Sequence, residues 1–191
     1  MCRSLLPLSK KLELNHALES APRGALDLSE NGLVRMAVLR PYSTSMIRPA
    51  GPEDVAAIAE LYERSLATLS FVPTLHTLEE HRAWFGQVVA EREVWVWEEE
   101  SAIVGFIALD DAMLDYLYLE PEMTGRGIGS ALLDHAKERR RGGFTLWTFQ
   151  QNEGARRFYE RGGLRAIRFT DGEGNEEKAP DVLYEWRPDR A

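Results

Sequence analysis

The sequence predicts one α/β domain over residues 46–191, with elements in the order β-α-α-β-β-β-α-β-α-β-β. Three observations predict it. Two stretches of helical apolar spacing follow a short first strand. Three β-branched and aromatic runs between residues 93 and 119 are joined by short polar connections, which reads as an antiparallel meander. A glycine-rich loop then opens a helix, after which strand and helix patterns alternate.

Met46-Ile47-Arg48-Pro49 reads as a short edge strand ended by proline. Pro52 suits the first position of a helix, and Glu53 and Asp54 stand where the helix dipole favours acids. Val55, Ile58, Ala59, Tyr62, Leu66 and Leu69 continue at helical spacing. After a loop over 70–76, Thr77 to Glu80 form a capping box. It opens a second helix with Leu78, Phe85, Val88 and Val89 on one face and His81 at its surface. Strands are expected over 93–98, 103–109 and 113–119, with a solvated turn at Glu98 to Ser101. The helix after the glycine loop carries Ile128, Leu132, Leu133 and Ala136. It stops at Lys137 to Arg141 and Gly142-Gly143, where cations and then glycine suit a helix end. Phe144 to Phe149 is a strand. Asn152 caps a short helix bearing Ala155, Phe158 and Tyr159. Strands over 164–169 and 182–186 are joined by a polar hairpin, Asp171 to Lys178.

Composition bounds the function. The chain has 191 residues, 44% hydrophobic and 28% charged, enough to bury a core without staples. No apolar run reaches the roughly 20 residues of a membrane span. Cys2 is the single cysteine, which excludes an intrachain disulfide framework and a multi-thiolate zinc site and accords with a cytoplasmic compartment. The net charge of −8 gives no global attraction for nucleic acid or an anionic membrane surface. Residues 1–45 stand apart, with six basic against four acidic side chains and no sustained periodicity. They read as an N-terminal extension, disordered or produced by a start assigned too early, since Met36 and Met46 could each begin the chain.

Thr124-Gly125-Arg126-Gly127-Ile128-Gly129-Ser130 lies between a strand and a helix. Glycines there permit a sharp turn and close backbone approach, and unpaired amides at a helix start suit a pyrophosphate. Arg126 adds a cation. The Gly-Lys-Ser/Thr of a P-loop is absent, and a dinucleotide fingerprint lacks its third glycine at Ser130.

These residues resemble the GNAT superfamily of acyl-coenzyme A-dependent N-acetyltransferases. The family's Arg/Gln-x-x-Gly-x-Gly/Ala signature is matched by Thr124 to Gly129, with Thr124 departing at the first position. Its second segment, Asn-x-x-Ala-x-x-Phe-Tyr-Glu-x-x-Gly-Phe, is matched from Asn152 to Leu164, with Leu164 replacing the aromatic. The resemblance implies a mixed, mostly antiparallel, splayed sheet with helices on both faces. Acetyl-coenzyme A would lie between the fourth and fifth strands as co-substrate. Leu117, Tyr118 and Leu119 would hold the pantetheine arm, mainly through the main chain of Leu117 and Leu119. Thr124, Gly125, Arg126, Gly127, Ile128, Gly129 and Ser130 would hold the pyrophosphate, and Asn152 would bond the coenzyme.

For catalysis the resemblance implies Tyr159 as the acid that protonates the departing thiolate, against a core role for its ring. Asp115 is the acid inside the fourth strand, on the face of Met113 and Leu117, and is the candidate base. Phe71 and His76 would line the acceptor pocket. His76 and His81 are five apart, not the four of a helical metal pair, and no metal is expected. The expected function is direct transfer of acetyl to a primary amine of a small molecule or peptide, with a homodimer open. The alternative is a non-catalytic coenzyme A-binding regulatory module.

Overall fold

The computed structural model describes residues 46–188, so the expected N-terminal extension lies outside the described residues. The elements are β1 (Met46–Pro49), α1 (Val55–Leu66), α2 (Leu78–Glu91), β2 (Glu93–Glu99), β3 (Ala102–Leu109), β4 (Leu114–Leu119), α3 (Ile128–Arg139), β5 (Phe144–Phe149), α4 (Glu153–Arg161), β6 (Arg165–Phe169) and β7 (Asp181–Trp186). This is the order expected from the sequence. No described helix is long and apolar enough to cross a membrane.

The strands form two antiparallel sheets, one ordered β1-β2-β3-β4 and the other β5-β7-β6. They meet at one end only. Met113 and Thr145 form an isolated parallel bridge, and the Thr145 N–H donates to the Ala112 carbonyl at 3.0 Å. Beyond it β4 and β5 share no ladder, so the two strands diverge and leave a gap. Along β3 the side chains alternate between two cores, as a strand's period of two requires. Phe106 and Ala108 pack with Ile58, Leu61, Tyr62, Trp84 and Phe85 of α1 and α2. Ile107 and Leu109 pack with Ile128, Leu132 and Leu133 of α3 and with Tyr159 and Tyr184. Helices therefore cover both faces. Fully burying each such side chain stabilises the fold by about 1.5–3 kcal/mol.

Local signals act as their chemistry dictates. Thr77 accepts the Glu80 N–H, and the Glu80 carboxylate accepts the Thr77 N–H at 2.7 Å, which starts α2. Three details differ from the sequence reading. The turn between β2 and β3 is confined to Glu100 and Ser101, at φ 52° and 66°, the handedness that a two-residue hairpin needs. Glu98 and Glu99 remain in β2 and pair with Arg48 and Arg126. His81 is buried, because Glu63 on α1 meets its Nδ1 at 3.0 Å and the Tyr62 ring packs edge-on against it. The β6–β7 hairpin, read from the sequence simply as polar, is a built loop. Buried Asn175 bonds the Ala179 carbonyl, the Ala179 N–H and Asp181.

Candidate active site

The gap between β4 and β5 is a cleft of about 570 Å³. Leu117 and Leu119 line it from β4, Thr124, Gly125, Gly127, Gly129 and Ser130 from the glycine loop, and Asn152 from the start of α4. Ser65, Gly154, Ala155, Arg157, Phe158 and Arg161 complete the walls. Residues separated by some 90 positions thus converge on one groove.

The β4 main chain explains how the cleft can hold an extended ligand. Glu120 donates its N–H to the Val104 carbonyl at 2.9 Å, and Tyr118 stands opposite Phe106 in the β3–β4 register. Antiparallel alternation then directs the main-chain groups of Tyr118 and Glu120 toward β3 and those of Leu117 and Leu119 toward the gap. Tyr118 is therefore corrected as a coenzyme contact. Its peptide faces β3, and its ring packs 4.8 Å from Tyr62 and 5.9 Å from Phe106, centroid to centroid, on the opposite side of the sheet.

The glycine loop ends in a left-handed residue. Gly127 caps α3 at φ +86°, and Gly125 sits at +85°, conformations that L side chains rarely adopt. The first turn of α3 leaves the amides of Ile128, Gly129 and Ser130 without intrahelical acceptors, which makes an anion site. Ile128 contributes only through its main chain, because its side chain is 4% exposed in the core. Gly129 is buried, and a Cβ there would stand 3.4 Å from Leu119 and from the Phe158 ring, both cleft walls. Arg126 does not line the cleft. Its guanidinium reaches Glu99 at 2.9 Å, and the cations that do line the cleft are Arg157 and Arg161, spaced one turn apart on α4.

Asn152 does cap α4, accepting the Ala155 N–H at 3.1 Å while lining the cleft. Tyr159 does not line it. The ring has 0% exposure and packs 5.1 Å from Phe158 and 6.0 Å from Tyr184, in the same cluster as the cleft residues Leu117 and Ala155.

Asp115 is 2% exposed and ion-paired with Arg92, the residue that ends α2. The pair borders a separate hollow with Met113, Thr145 and Trp147. The sequence placed Asp115 on the face of Leu117. The structure corrects this, because Leu114 opposes Leu109 and Tyr116 opposes Ala108, so Asp115 is the extra residue of a β-bulge. The bulge breaks the alternation and directs Asp115 away from the cleft. Taking a proton there would cost Arg92 its buried partner and leave it only the exposed Asp110 carboxylate at 3.9 Å.

A second cavity, of about 320 Å³, lies between the end of α1, the α1–α2 loop and the β6–β7 loop. Tyr62, Glu63, Leu66, His76, His81 and Glu177 line it. His76 is placed as expected. Phe71 is not: its ring packs 5.7 Å from Phe149 in a small cluster with Leu69 and Ala179. Ser65 lines the cleft and its neighbour Leu66 lines the cavity, so the two hollows adjoin at the last turn of α1.

The acetyltransferase (GNAT) domain family matches residues 90–163. The peptidyl-lysine N-acetyltransferase YiaC of Escherichia coli strain K12 is 27% identical over 124 residues, which are 64% of this chain and 84% of YiaC. Among solved structures, apo YjaB from Escherichia coli superposes with a TM-score of 0.63 at 24% identity, covering 75% of this chain and 97% of that one. The PaiA N-acetyltransferase from Thermoplasma acidophilum, solved in complex with coenzyme A, gives 0.58 at 21%, covering 75% and 99%.

Proposed function

This chain is an acetyltransferase of the GNAT superfamily, and from that premise we propose that it moves acetyl from acetyl-coenzyme A directly to a primary amine, the side chain of a peptide lysine. The observation that carries the proposal is the main-chain edge at Leu117 and Leu119, which no described strand pairs and which faces the same cleft as the open amides of α3. An extended pantetheine arm would lie along that edge as a strand does, and the pyrophosphate would meet the amides at the α3 start. Thr124 lacks a long side chain for the phosphates. Arg157 and Arg161 supply the positive charge instead.

The amine would enter through the second cavity, whose Glu63 and Glu177 suit a cation. A relative called a peptidyl-lysine N-acetyltransferase supports lysine as the amine. The neutral amine attacks the thioester carbonyl, the C–N bond forms, the C–S bond breaks, and the thiolate takes a proton. Tyr159 is the proposed donor of that proton, its buried ring packing against Phe158 of the cleft wall. Cys2 has no part in this single-step transfer. Release of free thiol on mixing the protein with acetyl-coenzyme A and a capped lysine peptide tests the proposal. Release that requires the peptide supports it, and none over a panel of primary amines contradicts it.

A further inference from the structure

Two histidine–carboxylate pairs converge on the amine-side cavity. His76 Nε2 meets Glu176 Oε1 at 2.9 Å, and His81 Nδ1 meets Glu63 Oε1 at 3.0 Å, with ring centroids 5.9 Å apart. The two pairs differ in setting. The His81 pair joins α2 to α1 inside the packed helix pair, with the Tyr62 ring against it. The His76 pair is a loop-to-loop contact at the cavity, with the imidazole 17% and the carboxylate 28% exposed. Glu176 is held from behind, since Asn175 before it is fastened to Ala179 and Asp181. Gly172, at φ +85°, brings the start of this loop onto the Ala179 main chain so tightly that a Cβ would stand 2.3 Å from it. The carboxylate is therefore presented by a fixed support, not by a free hairpin.

We propose that His76 is the general base that deprotonates the incoming ammonium, and that Glu176 is its positioning residue. This rests on the acetyl-transfer reading of the same site. With Nε2–H donated to Glu176, the lone pair lies on Nδ1, the nitrogen that Glu176 does not engage. The proton passes from the lysine ammonium to His76 Nδ1, leaving a neutral amine and an imidazolium stabilised by Glu176. The amine attacks, the C–S bond breaks, and the proton left on the new C–N nitrogen balances the one given to the thiolate. The sum is one amide, one free thiol and one proton released from His76 to water. The other ionisable groups around His76 are His81 and Glu80 on α2, Glu63 on α1 and Glu177 on the β6–β7 loop. Four of these five neighbours, counting Glu176, are carboxylates, a field that favours an arriving ammonium. Asp115 leaves the role vacant, being committed to Arg92 at the bulge.

The test is kcat/KM for a capped lysine peptide against pH, with coenzyme A affinity measured by calorimetry on each variant. His76→Gln is expected to lower kcat/KM by about 10²-fold at neutral pH and to remove the acidic limb of the profile. Its coenzyme affinity stays unchanged. Glu176→Gln is expected to lower kcat by about 10-fold with KM little changed, a split that a merely structural contact does not produce. Added imidazole is expected to restore part of the rate to His76→Ala. In the wild-type protein the His76 ring, followed by NMR, titrates with the kinetic limb. A wild-type profile in folded His76→Gln, or a His76 titration that departs from the limb, overturns the proposal while leaving acetyl transfer standing. Absence of peptide-dependent thiol release from the wild-type protein overturns the acetyl-transfer reading itself.

Discussion

Glu99 holds the guanidinium of Arg126 at 2.9 Å, and neither side chain lines the cleft. The consequence is electrostatic. A coenzyme with a pyrophosphate and a ribose phosphate needs cations, and among the described residues Arg157 and Arg161 are the guanidinium side chains that line the proposed coenzyme cleft. Arg157 is shared with Glu153 at 3.0 Å, both well exposed, so that pair is weak and readily exchanged for a phosphate. Replacing both arginines by alanine is expected to weaken coenzyme A at least about 10-fold, the loss of one or two charge-assisted hydrogen bonds. Dephospho-coenzyme A should be affected less. Calorimetry with both ligands checks this, and equal losses for the two would assign the arginines to the pyrophosphate instead.

Gly129→Val places methyl groups against Leu119 and Phe158, starting from a Cβ that is already 3.4 Å from each. Gly127→Val instead forces a β-branched residue into φ +86°. The first blocks the cleft; the second strains the backbone, by about 1–3 kcal/mol. Gly129→Val should therefore lower coenzyme affinity sharply with a modest change in melting temperature, while Gly127→Val should lower both. Titration beside a melting curve separates the two, and unchanged affinity in folded Gly129→Val would contradict the cleft assignment.

Removing the Tyr159 hydroxyl leaves a fully buried ring in place, so Tyr159→Phe should cost no more than about 1–3 kcal/mol of stability. If the phenol protonates the thiolate, single-turnover transfer should fall at least about 10-fold with coenzyme affinity unchanged. A wild-type rate would leave Tyr159 with a packing role alone.

Asp54, 5% exposed at the start of α1, accepts Arg48 Nη1 at 2.7 Å and Nη2 at 3.0 Å, and the Gly51 N–H at 2.8 Å. The Arg48 guanidinium, helped by that amide, holds its carboxyl below the usual carboxylate range. A depressed folded pKa means the unfolded chain binds the proton more readily. The contribution to stability is thus present above the unfolded value of about 3.9 and is lost as pH falls through the lower folded one. Asp54→Asn should destabilise the fold by about 1–3 kcal/mol near neutrality. The gap between variant and wild type should close in acid. Urea melts at the two pH values check this, and a gap that does not depend on pH would contradict it.

The element order was legible because each element carries its own local signal: the Thr77–Glu80 box, the Asn152 cap, the glycines before α3 and the apolar spacing of the helices. What escaped depends on partners distant in the chain. Tyr118 sits between two cleft residues in sequence, and only the β3–β4 register shows that its peptide faces the other way. Asp115 was assigned to the wrong face because a bulge has no signature in a run such as Leu114 to Leu119. Arg157 and Arg161 belong to no motif and were not singled out, whereas Arg126, beside the glycines, was, and its guanidinium bonds Glu99. His76 was expected as a pocket residue, but its partner Glu176 lies 100 positions away in what read as a polar hairpin.

The central claim is that a ligand laid along Leu117 and Leu119 delivers acetyl to a lysine amine entering beside His76. Mass spectrometry of a capped lysine peptide, incubated with acetyl-coenzyme A and either wild-type protein or Gly129→Val, tests it most directly. The account predicts a product heavier by one acetyl group on the lysine nitrogen with the wild type, and little or none with a folded Gly129→Val. Coenzyme binding by the wild-type protein without any acetylated lysine or other amine would contradict it, and would leave a coenzyme-binding module in place of an enzyme.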